Sequence, residues 1–232
     1  MSAFYLTVHD DAVQILTDGA VYTEDGTLLD IASKIRPIGD LPLAMTARGT
    51  LVPFDVLAPA LDLVAGAGSV DGVMKYLETI LAKPQRRRDL STTAFQAVLV
   101  GISEQHGPFA RMFASVDMPG IEAFLLYDVA PESAGGPEVS IEELPFTGAD
   151  YEAAGVFALQ RYGVAIMEAM RRKPGPNPAM PDLPELYGIG GHVDLTVVHA
   201  GGVTTARLHE WPDRIGEKIN PFAADAAAIA AE

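Results

Sequence analysis

Residues 12–40, AVQILTDGAVYTEDGTLLDIASKIRPIGD, decide how the chain is read. Short runs of aliphatic and β-branched residues alternate with turn residues, which is the pattern of β-hairpins. Glu24-Asp25-Gly26 is a turn ahead of Thr27-Leu28-Leu29, and Asp10-Asp11 separates the run Ala3 to Val8 from Val13 to Thr17. Lys34 to Ile38 and Leu43 to Ala47 extend the set, so the first fifty residues read as one meandering sheet. Two charged residues stand inside this apolar pattern, Asp18 before Gly19 and Lys34 before Ile35. A carboxylate and an ammonium on neighbouring strands can pair.

Beyond Gly49-Thr50 the apolar period becomes helical. Pro53 suits a first helical turn, and Phe54, Leu57, Leu61 and Val64 share one face. Ser69 is the expected N-cap of a second helix whose stripe is Val70, Val73, Met74, Leu77, Ile80 and Leu81. Strands return at Ala94 to Val100, Phe109 to Ser115 and Ile121 to Tyr127, with a weaker run at Val139 to Leu144, and together they predict a second sheet. Asp150 to Arg172 reads as one long helix or two, despite Gly155 and Gly163. The five prolines between residues 174 and 184 force an extended loop. Val193 to Val198 and Val203 to Leu208 form a last hairpin, ahead of an Ala-rich tail at 222–232. No linker or repeat divides the chain, so a single domain over 1–232 is expected, of class α+β, with two facing sheets and helices outside them.

The chain has 232 residues, 49% of them hydrophobic, which is enough to bury a core. Its 31 acidic against 16 basic residues give a formal net charge of −15, which repels polyanions and argues against nucleic acid or anionic membrane as partners. Without cysteine there is no disulfide, no thiolate nucleophile and no thiolate metal site, and the chain is compatible with the cytoplasm. The start, Phe4-Tyr5-Leu6, is interrupted by Thr7, His9, Asp10 and Asp11, and does not read as a signal peptide core.

Most chemical motifs are missing. The histidines at 9, 106, 192, 199 and 209 form no HExxH frame and read as surface or satisfied groups. Arg86-Arg87-Arg88 reads as a solvated turn or an intersubunit contact. Gly66-Ala67-Gly68 follows a helix rather than a strand, so it is no dinucleotide fingerprint, and no GxSxG elbow occurs. No cofactor is expected. What remains is a spacing: Asp18 and Lys34 lie sixteen and thirty-two residues after Ser2.

That spacing resembles the proteasome β-subunit branch of the N-terminal nucleophile hydrolases. The likeness continues through Arg36-Pro37-Ile38-Gly39-Asp40, Ala47-Arg48-Gly49-Thr50, Val98-Leu99-Val100-Gly101 and Gly190-Gly191-His192-Val193-Asp194-Leu195, and the order of sheets and helices agrees over most of the chain. The resemblance implies a four-layer αββα sandwich. It also implies an amide or peptide hydrolase in which Ser2, exposed by removal of Met1, is the nucleophile and its own α-amine the base. Lys34 would favour the neutral amine, Asp18 would hold Lys34, and the backbone near Gly49 would supply an oxyanion hole. The family assembles through helices and loops, so a homo-oligomer, such as a ring, is implied. Four features depart from the family pattern. Ser replaces the more usual Thr, Arg48 stands where the glycine is expected, Leu186 and Ile189 replace an Asp and a Ser, and the chain carries Met1. The competing expectation is a catalytically silent homo-oligomeric scaffold or assembly protein, for example a phage tail or virion-associated component. A small-ligand binding subunit using the same cleft is a third.

Overall fold

The computed structural model describes residues 3–50, 53–66, 68–85, 90, 94–177 and 182–222. The protein is α+β, with two five-stranded antiparallel sheets and a two-stranded hairpin. The first sheet has the order β10 (Glu132–Gly135), β1 (Phe4–Val8), β2 (Ala12–Asp18), β11 (His192–His199) and β12 (Gly202–Glu210). In the second, β5 (Ile35–Pro37), β6 (Leu43–Arg48), β7 (Gln96–Ser103), β8 (Gly107–Ala114) and β9 (Tyr127–Asp128) pair in sequence order. The hairpin is β3 (Ala20–Tyr22) with β4 (Leu28–Ile31).

The reading of residues 3–47 as one meander is therefore corrected: β1 and β2 belong to the first sheet, β5 and β6 to the second. The reason lies in burial. Ala44 of β6 packs into a cluster with Phe4, Leu6, Val13 and Ile15 of the first sheet, while Leu43, Met45 and Ala47 join a different cluster with helices. A strand apolar on both faces needs a layer on each side, which a meander open to water on one face does not supply. Ile35, Val98, Val100, Ala110 and Val198 complete the layer between the sheets.

On the far side of the second sheet lie α1 (Ala58–Ala65) and α2 (Val70–Leu81). A π-helical turn over Pro53–Leu57 leads into α1. Ser69 caps α2, its side chain accepting the Gly72 N–H at 3.0 Å, and the predicted stripe is the buried face. The far side of the first sheet carries α3 (Gly148–Ala154) and α4 (Ala158–Arg171). Leu159, Ile166, Met167 and Met170 of α4 pack on Leu16, Val193 and Leu195. The break between the two helices falls at Gly155, whose φ of 53° interrupts the helix. Gly163 has its own reason. A Cβ there would lie 2.8 Å from the Leu16 side chain, so glycine lets α4 approach β2 closely.

Two expected strands are not strands. Of Ile121 to Tyr127 only the last residue belongs to a strand, β9, and Ile121 makes an isolated bridge to Met118; Phe124 adopts φ 62° and turns the chain. Val139 to Leu144 contains a 3-10 turn, Ile141–Glu143, nucleated by a reciprocal Ser140–Glu143 capping box. Residues 86–89 and 223–232, on which the arginine run and most of the tail fall, lie outside the described residues. Among the described residues, no helix is long and apolar enough to cross a membrane.

Phe113 is fully buried and meets Phe95 edge to face at 5.8 Å. Phe113→Ala should lower unfolding free energy by about 3–5 kcal/mol in urea titrations. By contrast, Leu63→Ser, at a side chain 84% exposed on α1, should stay within about 0.5 kcal/mol of the parent.

Candidate active site

Asp18 ends β2 and has no exposed surface. A buried carboxylate is tolerated only when its oxygens are satisfied, and donors converge on this one from four segments. Oδ1 accepts the Ala3 N–H at 2.9 Å. Oδ2 accepts the Lys34 ammonium at 2.9 Å, the Ala20 N–H at 3.1 Å and the Gly190 N–H at 3.4 Å. The bond to Ala20 is the local turn chemistry expected of an Asp before a glycine, and the bond to Lys34 is the pairing the spacing suggested. The bond to Lys34 crosses from the end of β2 in the first sheet to the entry of β5 in the second, rather than between neighbouring strands of one sheet.

Lys34 stands just ahead of β5 and is buried with its partner, the side chains being 7% and 0% exposed. Its carbonyl accepts the buried Thr46 hydroxyl at 2.7 Å, which fixes its backbone to β6. Burial pushes the Lys34 ammonium below the ordinary lysine range; the charge and hydrogen bond of Asp18 oppose that shift, and the nearby Arg48 cation adds to it. Arg48 itself, at the end of β6, is held down to about 10 by burial, against the pull of Asp18. In the sequence, Arg48 stands only as the residue at the expected glycine position. The structure brings its charge into the field of the pair.

Gly49 has φ 102°, and an added Cβ would lie 2.4 Å from the Ala94 carbonyl oxygen. Backbone conformation and close approach together require glycine here. Among the described residues, Gly49 is not one of the donors to Asp18. Ser2 lies outside the described residues; the amide that Asp18 accepts is the one joining residue 2 to residue 3.

Two further buried clusters support this centre; the sequence marks the stretch holding His192 and Asp194 without giving either a role, and it does not mark Arg171 or Asp213. Arg171 at the end of α4 makes a two-pronged pair with Asp213, Nη1 to Oδ2 at 2.8 Å and Nη2 to Oδ1 at 2.6 Å. Nη1 also donates to the Ile189 carbonyl at 2.6 Å, and Asp213 Oδ2 accepts the Gly191 N–H at 2.8 Å. The guanidinium lies 4.7 Å from the Trp211 ring centroid, a cation–π contact. This pair grips the 189–191 loop whose Gly190 N–H reaches Asp18. Gly190 has no room for a side chain, because a Cβ would lie 2.5 Å from Asp213 Oδ2.

The second cluster centres on His192, which is buried with its ring against Gly19. His192 Nε2 lies 3.0 Å from Asp194 Oδ2, and Arg207 Nε donates to Asp194 Oδ1 at 3.0 Å. Asp194 faces Thr17 across the β2–β11 pairing. Nδ1 of His192 has no hydrogen-bond partner among the described residues. The expectation of a surface or satisfied histidine thus holds for one ring nitrogen only. A periodicity argument could have flagged this cluster, since His192, Asp194 and Thr196 occupy alternate positions on the strand face that also carries Val198 into the inter-sheet layer.

The predicted departures also have places. Ile189 is buried among the apolar residues under α4. Leu186 exchanges two backbone hydrogen bonds with Gly175, at 3.0 and 3.1 Å. The chain matches no protein-family model and no curated protein.

Burial raises the Asp194 carboxyl, but the hydrogen bonds and charges of His192 and Arg207 outweigh it and hold the group below the usual value of 3.8. A depressed folded value means that the unfolded chain binds the proton first, so the stability from Asp194 is complete above pH ~4 and is lost as pH falls further. Asp194→Asn should therefore lower stability at neutral pH and flatten the acid limb of a stability–pH curve measured by urea unfolding. An unchanged acid limb would remove Asp194 from the linkage.

Proposed function

We propose that the protein is a proteasome-like N-terminal nucleophile hydrolase, folded as a four-layer αββα sandwich, that cleaves amides or peptides with Ser2 after removal of Met1. The observation that carries the reading is the Asp18 carboxylate, which holds the amide of Ala3 and the ammonium of Lys34 at 2.9 Å each. Asp18 thereby links the Ala3 amide to a buried lysine. The layered packing supports the fold assignment: α4 lies on the first sheet, the two sheets share one apolar layer, and α1 and α2 lie on the second.

In the proposed reaction the Ser2 α-amine, with an ordinary pKa near 7.7–8.0, takes the hydroxyl proton as Oγ attacks the scissile carbonyl carbon. The tetrahedral oxyanion is stabilised by backbone N–H groups at Gly49 and by the Lys34 charge. Collapse expels the amine leaving group, which takes the proton back from the α-amine. Water then attacks the ester, with the α-amine again accepting a proton, and as the acyl–Oγ bond breaks that proton passes to Ser2 Oγ, freeing the acid and restoring the Ser2 hydroxyl. Lys34 acts by its charge, favouring the neutral form of the α-amine, and Asp18 positions Lys34. A homo-oligomer, such as a ring, is part of this proposal, with peptides as substrates.

One observation favours a second reading. Ile189, where the family resemblance implies a serine beside the terminal amine, is buried in an apolar cluster with Leu16 and Met170. A catalytically silent scaffold, built into a homo-oligomer or a larger particle such as a phage tail, does not need that polar support.

Intact mass and a peptidyl electrophile separate the two. The enzyme reading expects native protein without Met1, one covalent adduct on Ser2, and for Ser2→Ala no adduct and at least ~10³-fold less turnover with unchanged assembly. Retained Met1, or equal turnover in parent and variant, assigns the protein to the scaffold reading.

A further inference from the structure

A cleft of about 530 Å³ opens between the β3–β4 turn, the segment 183–187 and residues 218–219. Its size falls in the range of ligand pockets, about 300–1,000 Å³. Both walls are fixed by backbone hydrogen bonds. Leu28 N–H donates to the Glu217 carbonyl at 2.9 Å and Gly216 N–H to the Leu28 carbonyl at 2.8 Å, which clamps residues 216–219 to β4. Leu186 is held by its two bonds to Gly175. Tyr187 is braced by Phe222, edge to face at 5.8 Å. The cleft is thus formed before anything enters it.

Its lining is of two kinds. Leu183, Pro184, Leu186, Tyr187 and Ile219 supply apolar surface, and Gly26 keeps one wall low beneath Leu186. Around them stand Glu24, Asp25 and Glu185, against Lys218, the single cation of the lining among the described residues. Lys218 lies 3.5 Å from Asp25 and balances it, and Asp25 is held ionised by the hydroxyls of Thr23 and Thr27, its pKa lowered to about 2. Glu24 and Glu185 then give the cleft a net charge of about −2 at neutral pH. An apolar floor asks for a hydrophobic side chain, and the remaining carboxylates ask for a cation within a few ångströms of it.

We propose that this cleft binds a peptide segment of another protein in which a basic residue adjoins a large apolar one. The chain's own C-terminal segment is a poor match, because residues 223–232 carry Asp225 and Glu232 and no cation. A polyamine satisfies the carboxylates and leaves the floor of Leu186 and Ile219 uncovered. The site does not rest on the hydrolase reading. It is nevertheless linked to the candidate centre, since Ile219 packs with Ala20, whose N–H donates to Asp18.

The test is fluorescence anisotropy with a labelled peptide of repeated Arg-Leu steps and a control with Glu for every Arg, using full-length parent and full-length Ser2→Ala protein. The proposal expects the Arg-Leu peptide to bind both proteins alike, at least about tenfold more tightly than the control, and to weaken with added salt. Glu24→Lys with Glu185→Lys, two exposed positions, should remove that preference or reverse it, while circular dichroism stays unchanged. Equal affinity for the two peptides, an unaltered preference in the double variant, or full displacement by spermidine at concentrations matching the peptide overturns the proposal. Binding seen only after deletion of residues 223–232 overturns it as well, by making the tail the occupant. A parent protein that forms no adduct at Ser2 yet keeps the peptide preference would sink the hydrolase reading and leave this one standing.

Discussion

One buried carboxylate sets the position of much of this protein. Asp18 has no water to turn to, so each of its donors must come from the chain, and they come from ahead of β1, from the start of β3, from ahead of β5 and from the loop before β11. Satisfying a single group therefore fixes the first strand, the hairpin, the entry to the second sheet and the return of the chain to the first. Gly19 makes the arrangement compact. Its N–H donates to the Gly190 carbonyl at 2.9 Å, its carbonyl accepts Ala32 N–H at 2.9 Å, and the absence of a side chain admits the His192 ring. Removing one charge of a buried pair costs about 3–5 kcal/mol in general, because the other loses its ionic partner in a low-dielectric interior.

The Arg171–Asp213 pair does for the 189–191 loop what Asp18 does for the first strands. It joins the end of α4 to the segment beyond Trp211 and closes on the loop from both sides, through the Ile189 carbonyl and the Gly191 N–H. The Trp211 indole N–H donates to Glu168 on the same helix at 2.8 Å, so the aromatic face under the guanidinium is itself held. Gly190 presents its N–H to Asp18 because this clamp leaves the loop no other course. Two buried ion pairs are thus mechanically in series, from α4 through the loop to the strand ends at Asp18 and Lys34.

The sequence showed some of this and hid the rest for physical reasons. The α2 stripe and its Ser69 cap were legible, because a helix that buries one face against a sheet announces both its period and its start. The division of the early strands between two sheets was hidden, because β2 and β6 are buried on both faces and a period-2 pattern then carries no sign of which layer a strand joins. Phe124 was read as strand because nothing in a phenylalanine announces a left-handed backbone. Asp18 and Lys34 stood out as charges within apolar runs. Arg171 and Asp213 did not, because each lies among other charged residues along the chain, and only the fold brings them together across 42 positions.

The buried pair also bears on what the protein is for. Replacing a buried ion pair by apolar residues of similar volume is often neutral or stabilising by about 1–4 kcal/mol; Asp18 also satisfies the N–H groups of Ala3, Ala20 and Gly190, so stability gives a reason to keep Asp18 but little reason to keep Lys34. Specifying strand register is the other use of such a pair, but Val13 and Ile15 already commit β2 to one register by facing the inter-sheet layer, and a one-residue slip would turn them toward α4. What apolar residues at 18 and 34 would not provide is a positive charge held beside the first amide of the described chain, on a lysine whose burial already weakens its hold on the proton. That is a property a nucleophile's base can use. The charge pair thus weighs toward chemistry, and the apolar burial of Ile189 weighs toward assembly. The two features meet at one loop, where Gly190 donates to Asp18 and its neighbour Ile189 is buried in the apolar cluster under α4.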